Sequence, residues 1–99
     1  MASAYAGLGD FTQARASLEA AVSRNPDNAE EWANLGIMAQ KTGDVNRAIQ
    51  AYSQAVKLQP TQRGYLLLAR ALQQAGRQQE AQAAMQQGMA LAGETGQAP

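Results

Sequence analysis

Glu30 and Glu31 are adjacent carboxylates, a residue type that can act as a general acid or base. Because consecutive residues of a helix point in different directions, these two side chains do not converge on one reacting group. The 99-residue sequence contains no His and no Cys, so the usual general base, thiolate nucleophile and zinc ligands are missing. We therefore predict that the chain is not an enzyme and uses no metal or cofactor.

The remaining candidates for chemistry are weak. The stretch Gly7-Leu8-Gly9 lacks the other positions of a phosphate-binding loop and is better explained as the end of a helix. The three tyrosines, the single tryptophan and the methionines Met85 and Met89 are better explained as packing residues.

Charge and hydropathy also limit the function classes. Lys plus Arg and Asp plus Glu each number 8, so the formal net charge is zero. A neutral chain with dispersed charges predicts neither nucleic acid nor membrane as a partner. The longest apolar run, residues 65–69, is too short to span a bilayer. A basic segment followed by an apolar run is not visible at the N-terminus, so a cytoplasmic location is the default expectation.

Residues 28–60 show most clearly the kind of elements that must position any binding residues. Trp32, Leu35, Gly36 and Ala39 have the spacing of one helix face. Gly43-Asp44 predicts the end of that helix and the cap of the next one. Apolar residues then recur at steps of three and four, which predicts a second amphipathic helix. These residues are Val45, Ala48, Ile49, Tyr52, Ala55 and Val56.

This stretch resembles a tetratricopeptide repeat, whose pattern places Trp, Leu-Gly, Ala, an aromatic residue, Ala and Pro at fixed offsets. One departure is Ala39, where the family usually has Tyr. We expect Gly36 and Ala48 to be small because the two helices of a hairpin cross closely there. The matching residues are Trp32, Leu35, Gly36, Ala48, Tyr52, Ala55 and Pro60.

The same pattern occurs before and after this stretch. Gly9-Asp10 precedes Gly43-Asp44 by 34 residues, and Gly76 follows Gly43 by 33. We predict a partial repeat at 1–26, repeats at 29–60 and 62–92, and a disordered tail at 93–99. Met1 falls inside the first helix of its repeat, so the chain is either a fragment of a longer array or begins with a short natural helix. The predicted helices cover residues 2–7, 11–24, 29–41, 45–58, 62–75 and 78–92.

The resemblance implies an all-α fold, a right-handed superhelical solenoid of antiparallel helix hairpins. It also implies that the first helix of each hairpin lines a concave face, on which a peptide or helix of a partner binds. Carried over by position, the expected partner-binding residues are Asn34, Ile37, Lys41, Arg63, Leu66, Leu67, Arg70 and Gln74.

Two interpretations remain open for these residues. Ile37, Leu66 and Leu67 are apolar at positions that the hairpin core does not use, so they either contact a partner or fill the gap between first helices. Arg63 and Arg70 could hold a partner carboxylate bidentately or lie in solvent. Some family members grip a C-terminal carboxylate with a clamp of Lys, Asn and Arg. Leu67 stands where a second basic residue of that clamp belongs, so we do not predict a chaperone clamp.

The sequence therefore predicts a scaffold or interaction module for a protein partner of unspecified identity. One alternative is self-association into a homo-oligomer through an open N-terminal face at Leu8, Phe11 and Leu18, which lack a covering helix in the repeat scheme. Another is a substrate-recruiting arm of a larger enzyme.

Overall fold

A computed structural model describes the backbone of residues 2–96 and the side chains of residues 10–91. Every regular element in that part of the chain is an α-helix, and each helix packs against its neighbours in sequence. The pairs α2–α3 and α4–α5 form two stacked hairpins, so the predicted all-α helical solenoid is confirmed. The helices are α1 (Ala2–Arg24), α2 (Ala29–Lys41), α3 (Val45–Leu58), α4 (Gln62–Gln74) and α5 (Gln78–Gly96).

The predicted break at Gly9-Asp10 is wrong, because α1 runs from Ala2 to Arg24 without interruption. The segments expected at residues 2–7 and 11–24 form one helix. Continuing the helix keeps its backbone hydrogen bonds, and an interior glycine costs only about 1 kcal/mol.

The two hairpin turns do depend on glycine. Gly43 has a φ of +88° and Gly76 a φ of +79°, both in the left-handed region that ends helices. After the first turn, the backbone N–H of Arg47 donates to the Asp44 carboxylate at 3.1 Å, the predicted cap of α3. Arg77 stands at the corresponding place before α5, where its guanidinium instead pairs with Glu80 at 2.5 and 2.7 Å.

The first helices of the two hairpins are also capped by side chains. The N–H of Glu31 donates to Asn28 Oδ1 at 3.2 Å, so Asn28 is the N-cap of α2. The N–H of Gly64 donates to Thr61 Oγ1 at 2.9 Å. This second cap was not predicted from the sequence, although a Thr directly before a helical segment is a recognised signal.

Two clusters of buried side chains form the core. The larger one joins both hairpins and has Tyr52, which is 0% exposed, among its residues. The smaller one attaches α1 to the first hairpin through Val22, Leu35 and Ala51, with Leu18 and Trp32 packed against it. Leu18 therefore packs inward, whereas the side chain of Leu8 lies outside the described residues.

Glycines mark the closest helix contacts. A Cβ atom on Gly36 would stand 2.5 Å from Tyr52 Cε1, and Ala48 is 0% exposed, so the predicted close crossing of α2 and α3 is confirmed. A Cβ atom on Gly88 would stand 3.1 Å from Tyr65 Cβ, which accounts for a glycine inside α5.

The predicted tail at residues 93–99 begins inside α5, since that helix continues to Gly96. Isolated glycines at 93 and 96 weaken a helix without ending it when the preceding turns are already formed. Residues 97–99 lie outside the described residues, and disorder there stays a prediction.

Candidate partner-binding groove

A groove of about 540 Å³ lies between α2 and α4, the first helices of the two hairpins. We call it the α2–α4 groove. It brings together five of the eight predicted residues, which are Ile37, Lys41, Leu67, Arg70 and Gln74. Gln40 and Gln73 complete its lining.

A second cavity of about 310 Å³ shares Leu67 with the α2–α4 groove. It receives Asn34 from α2 and Arg63 from α4, two more of the predicted residues, and Glu30 is the carboxylate in its lining. The two cavities therefore follow the same pair of first helices, and Leu67 stands where they meet.

Leu66 is the predicted residue that lines neither cavity. Its side chain is 40% exposed. Because successive helical residues are rotated by about 100°, Leu66 and Leu67 cannot face the same direction. Leu66 is nevertheless a neighbour of Arg63 and Arg70 on the helix surface, three residues after the first and four before the second.

Ile37 and Leu67 are half-buried and pack against the larger core cluster. Their remaining surface lines the α2–α4 groove. The two interpretations of these residues are therefore compatible, since each side chain fills space between helices and also supplies apolar surface to the groove.

A chain of hydrogen bonds fixes the position of the two helices beside the groove. The Tyr52 hydroxyl donates to Gln40 Oε1 at 2.6 Å, and Gln40 Nε2 donates to Gln74 Oε1 at 2.7 Å. Burial raises the pKa of Tyr52 to about 12, whereas the positive charges of Arg63 and Arg70 act in the opposite direction. At neutral pH the hydroxyl is therefore protonated and remains a donor to α2.

The charged groups of the groove are cationic. Lys41 Nζ lies 5.2 Å from the centre of the Phe11 ring on α1, a cation–π contact. Among the described residues, no carboxylate lies within 4 Å of the cationic groups of Lys41, Arg63 or Arg70. The ion pairs of this part of the chain lie elsewhere, at Arg15, Arg47 and Arg77.

Gln40, Gln73 and the Tyr52 hydroxyl were not predicted from the sequence. A signal for the two glutamines was present, because positions 40 and 73 differ by the same 33 residues that separate Gly43 from Gly76. Equivalent positions on neighbouring first helices face the same side of a solenoid. No sequence pattern indicated a role for the Tyr52 hydroxyl, because that role depends on which side chain the folded helices bring next to it.

The arrangement suits non-covalent binding. It combines ammonium, guanidinium and amide donors with aliphatic side chains. Within residues 10–91, no three His, Cys, Asp or Glu side chains are grouped as metal ligands. The helices described here include none that is long and apolar enough to cross a membrane.

Stacked antiparallel hairpins with a groove along their first helices define a helical-repeat solenoid of the protein-interaction class. A family model for the tetratricopeptide repeat matches residues 1–63 and again 34–95, so this chain belongs to the tetratricopeptide repeat family. This family is a non-catalytic interaction fold, and the resemblance drawn from the sequence is confirmed.

Individual relatives share only parts of their length with the chain. Peroxisome biogenesis protein 5 of Arabidopsis thaliana is 39% identical over 59 residues, which is 60% of this chain and 8% of that protein. A crystal structure of MamA superposes with a TM-score of 0.84 at 22% identity, covering 96% of this chain and 56% of MamA. Another MamA structure gives a TM-score of 0.78 at 24% identity, over 88% of this chain and 52% of that one. The chain thus spans about half of these MamA chains, and the likeness to them concerns the fold.

Proposed function

We propose that this chain is a protein–protein interaction module that binds a peptide or helix of a partner in the α2–α4 groove. The observation that supports the proposal is that residues marked by their repeat position line one groove of about 540 Å³. Because equivalent positions on neighbouring first helices face the same side of a solenoid, the groove is a regular feature of the repeat stack and not a chance depression.

The composition of the groove matches the usual anatomy of a peptide-binding surface. Ile37 and Leu67 offer apolar contact, while Lys41, Arg70 and Gln74 surround them with polar groups. An apolar centre with a polar rim lets a partner bury side chains and satisfy hydrogen bonds at the edge. A groove between helices is the recurrent docking place for a helical or extended segment.

The groove is held in shape before any partner arrives. The hydrogen bonds from Tyr52 to Gln40 and from Gln40 to Gln74 connect α3, α2 and α4. Caps at Asn28 and Thr61 fix the starts of both first helices. A preorganised surface lowers the entropy lost on binding, so even a short segment can bind with useful affinity.

The absence of cysteine from the sequence allows a direct test. A single cysteine is introduced by Gln73→Cys in the groove or, as a control, by Lys57→Cys on the exposed surface of α3. Both variants are labelled with benzophenone maleimide, irradiated in lysate of the source organism, and analysed by mass spectrometry.

We expect one protein to be cross-linked from position 73 and not from position 57. Adding excess unlabelled chain should suppress that adduct, since both forms compete for the same partner. A partner cross-linked from position 57 and not from position 73 would place binding on the second helices and contradict the proposal.

A further inference from the structure

The second hairpin has a surface that corresponds to the surface of the first hairpin on which α4 packs. Residues of α3 and α5 are equivalent when they are separated by 33 positions, as the two turn glycines are. Ile49 and Val56 of α3 belong to the core cluster that joins the hairpins. A Cβ atom on Gly64 of α4 would stand 2.8 Å from Val56 Cγ1. The equivalents of Ile49 and Val56 on α5 are Gln82 and Met89.

Three more residues belong to the same surface of the second hairpin. They are equivalent to residues of the first hairpin that line the two cavities against α4, or that are buried beside it. We call this surface the end face, because it lies on the side of the second hairpin that points away from the first. None of its residues lines the α2–α4 groove. The end face consists of Leu66, Gln82, Met85, Gln86 and Met89.

The end face exposes apolar side chains to solvent. Leu66 is 40% exposed and Met89 is 64% exposed, whereas Val56 at the equivalent place is 7% exposed. Among the described residues, the further exposed large apolar side chain is Leu58, at the end of α3. Met85 of the end face is half-buried. Exposed apolar side chains that share one surface are typical of a contact site.

The remaining side chains of the end face are uncharged. Gln82 and Gln86 are exposed, and an amide both donates and accepts hydrogen bonds. A two-fold interface places the same patch of two copies together. A charged patch would therefore repel itself there, whereas amides and apolar groups can pair with their own kind. This chemistry suits a second copy of the chain.

We infer that the chain forms a two-fold symmetric dimer through the end face. The inference concerns a surface other than the groove of the proposed function. It also differs from self-association through the N-terminal face, which lies at the opposite end of the helix order.

Two arginines determine the orientation of the copies. Arg63 and Arg70 each lie one helical turn from Leu66 on α4. If α4 of one copy met α4 of the other, the guanidinium groups would repel each other. A two-fold axis parallel to the helices avoids this, because it places α4 of each copy against α5 of the other. The two facing helices are then antiparallel, so their dipoles also attract.

This orientation brings Leu66 of one copy to Met89 of the second copy. A Cβ atom on Gly88, next to Met89, would stand 3.1 Å from Tyr65 Cβ, next to Leu66. The two apolar residues thus lie at the same height along the hairpin. Rotation about an axis parallel to the helices preserves that height, so the dimer contains two equal contacts between Leu66 and Met89. The unbranched thioether of methionine adapts to such a contact.

The size of the end face predicts a weak and reversible dimer. Two adjacent helices of about 10 Å diameter, over the length of α4, offer a footprint of roughly 20 by 20 Å. This is smaller than the about 800 Å² that each partner buries in a standard interface. We therefore expect dissociation in the micromolar range.

Sedimentation velocity of the whole chain, from about 5 to about 500 µM, tests the dimer. The end-face variants are Leu66→Glu and Met89→Glu. The matched control is Leu58→Glu, because Leu58 is 37% exposed, close to the value for Leu66, and the chemical change is identical. Circular dichroism verifies that each variant is folded.

We expect the wild type and Leu58→Glu to form dimers as the concentration rises. Both end-face variants should weaken the association by about tenfold or more, since each buries a carboxylate against an apolar side chain. A wild type that remains monomeric at the highest concentration would overturn the inference. An equal loss of dimer in Leu58→Glu and Leu66→Glu would also overturn it, because the end face would then have no special role.

Disulfide formation tests the orientation, since the chain contains no cysteine. A Leu66→Cys chain is mixed with a ¹⁵N-labelled Met89→Cys chain, oxidised, and analysed by intact mass. We expect the disulfide between the two different chains to exceed what random pairing gives. A random mixture of the three possible disulfides would contradict the contact between Leu66 and Met89. Neither experiment depends on partner cross-linking from position 73, so the dimer and the proposed function can fail separately.

Discussion

The ring of Tyr52 lies so close to Gly36 that a Cβ atom on residue 36 would stand 2.5 Å from Tyr52 Cε1 and 2.6 Å from Cδ1. Tyr52 is 0% exposed, so the ring cannot move into solvent to make room. The contact between Gly36 and Tyr52 sets the distance between α2 and α3. It therefore also sets the position of the Tyr52 hydroxyl beside Gln40.

We predict that Gly36→Ala lowers the free energy of unfolding by about 1–2 kcal/mol, because overpacking outweighs the higher helix propensity of Ala. Urea denaturation followed by circular dichroism measures this change. Gly88→Ala is the matched control, since its nearest contact would be 3.1 Å and it should be destabilised less. A Gly36→Ala protein as stable as the wild type would show that the close contact does not limit packing.

The helix pairing could be predicted from sequence because it depends on local signals. The same helix boundary is indicated by Gly43, by Asp44 and by the apolar spacing of α3, and α3 begins there, at Val45, in the structure. The break at Gly9 could not be excluded in the same way. Its local signals match those at Gly43, but an interior glycine costs a continuous helix only about 1 kcal/mol, so these signals alone do not end it.

The candidate site was predictable to a similar extent. Repeat position indicated which faces of α2 and α4 to consider, and seven of the eight residues line the two cavities. Leu66 was marked by repeat position with the others, and its 40% exposed side chain lines neither cavity. The hydrogen bonds from Tyr52 through Gln40 to Gln74 depend on the distance between helices, which no local pattern specifies.

At the turn glycines Gly43 and Gly76, the energetic cost of the backbone conformation can be measured separately from side-chain packing. Among the described residues, nothing lies within 4 Å of a Cβ atom built on Gly43 or Gly76, and both have positive φ. We predict that Gly43→Ala and Gly76→Ala each lower the free energy of unfolding by about 1 kcal/mol, the penalty of a left-handed conformation for a residue with a Cβ. Gly43→Asn should be destabilised less, since Asn tolerates that region. Equal stability of the Ala and Asn variants would contradict this origin.

Stability should also fall in strong base. The pKa of Tyr52 is about 12 in the folded chain and 10.0 for an ordinary tyrosine. Between these values the unfolded chain releases a proton that the folded chain retains, so rising pH favours unfolding, by about 3 kcal/mol in total. Urea titrations from pH 9 to 12 should show this loss.

Tyr52→Phe provides the control for the pH dependence. The variant lacks the hydroxyl, so its stability should decline less between pH 10 and 12, although it starts about 1 kcal/mol lower because the bond to Gln40 is lost. Parallel pH profiles for the two proteins would show that Tyr52 is not the titrating group.

The Arg47–Glu19 pair attaches α1 to α3. The Arg47 guanidinium donates to both Glu19 oxygens at 2.6 and 2.9 Å. We predict that Arg47→Gln lowers the free energy of unfolding by about 1 kcal/mol, since both groups are partly screened by solvent. Arg77→Gln is the control, because its bidentate pair with Glu80 is exposed and lies near the start of one helix. No measurable loss is expected there.

The Arg47–Glu19 pair also predicts that the stability of the fold depends on pH in the acidic range. The hydrogen bond from Arg47 is the main cause that lowers the pKa of Glu19 below 4.5. The stability that the pair supplies is present above that value and disappears as pH falls through the folded pKa. The difference between wild type and Arg47→Gln should therefore narrow below pH 4.5. A difference that is constant down to pH 2 would mean that Arg47 acts through its contact with the Trp32 ring instead.

Binding of partners between α2 and α4 can be observed residue by residue in a ¹H–¹⁵N correlation spectrum of the chain, titrated with a peptide from the partner that cross-links to position 73. We predict that the largest shift changes occur at Ile37, Lys41, Leu67, Arg70 and Gln74, with α1 and the outer surface of α5 little affected. Changes concentrated on α1 or α5, with these five amides unmoved, would contradict binding in the α2–α4 groove.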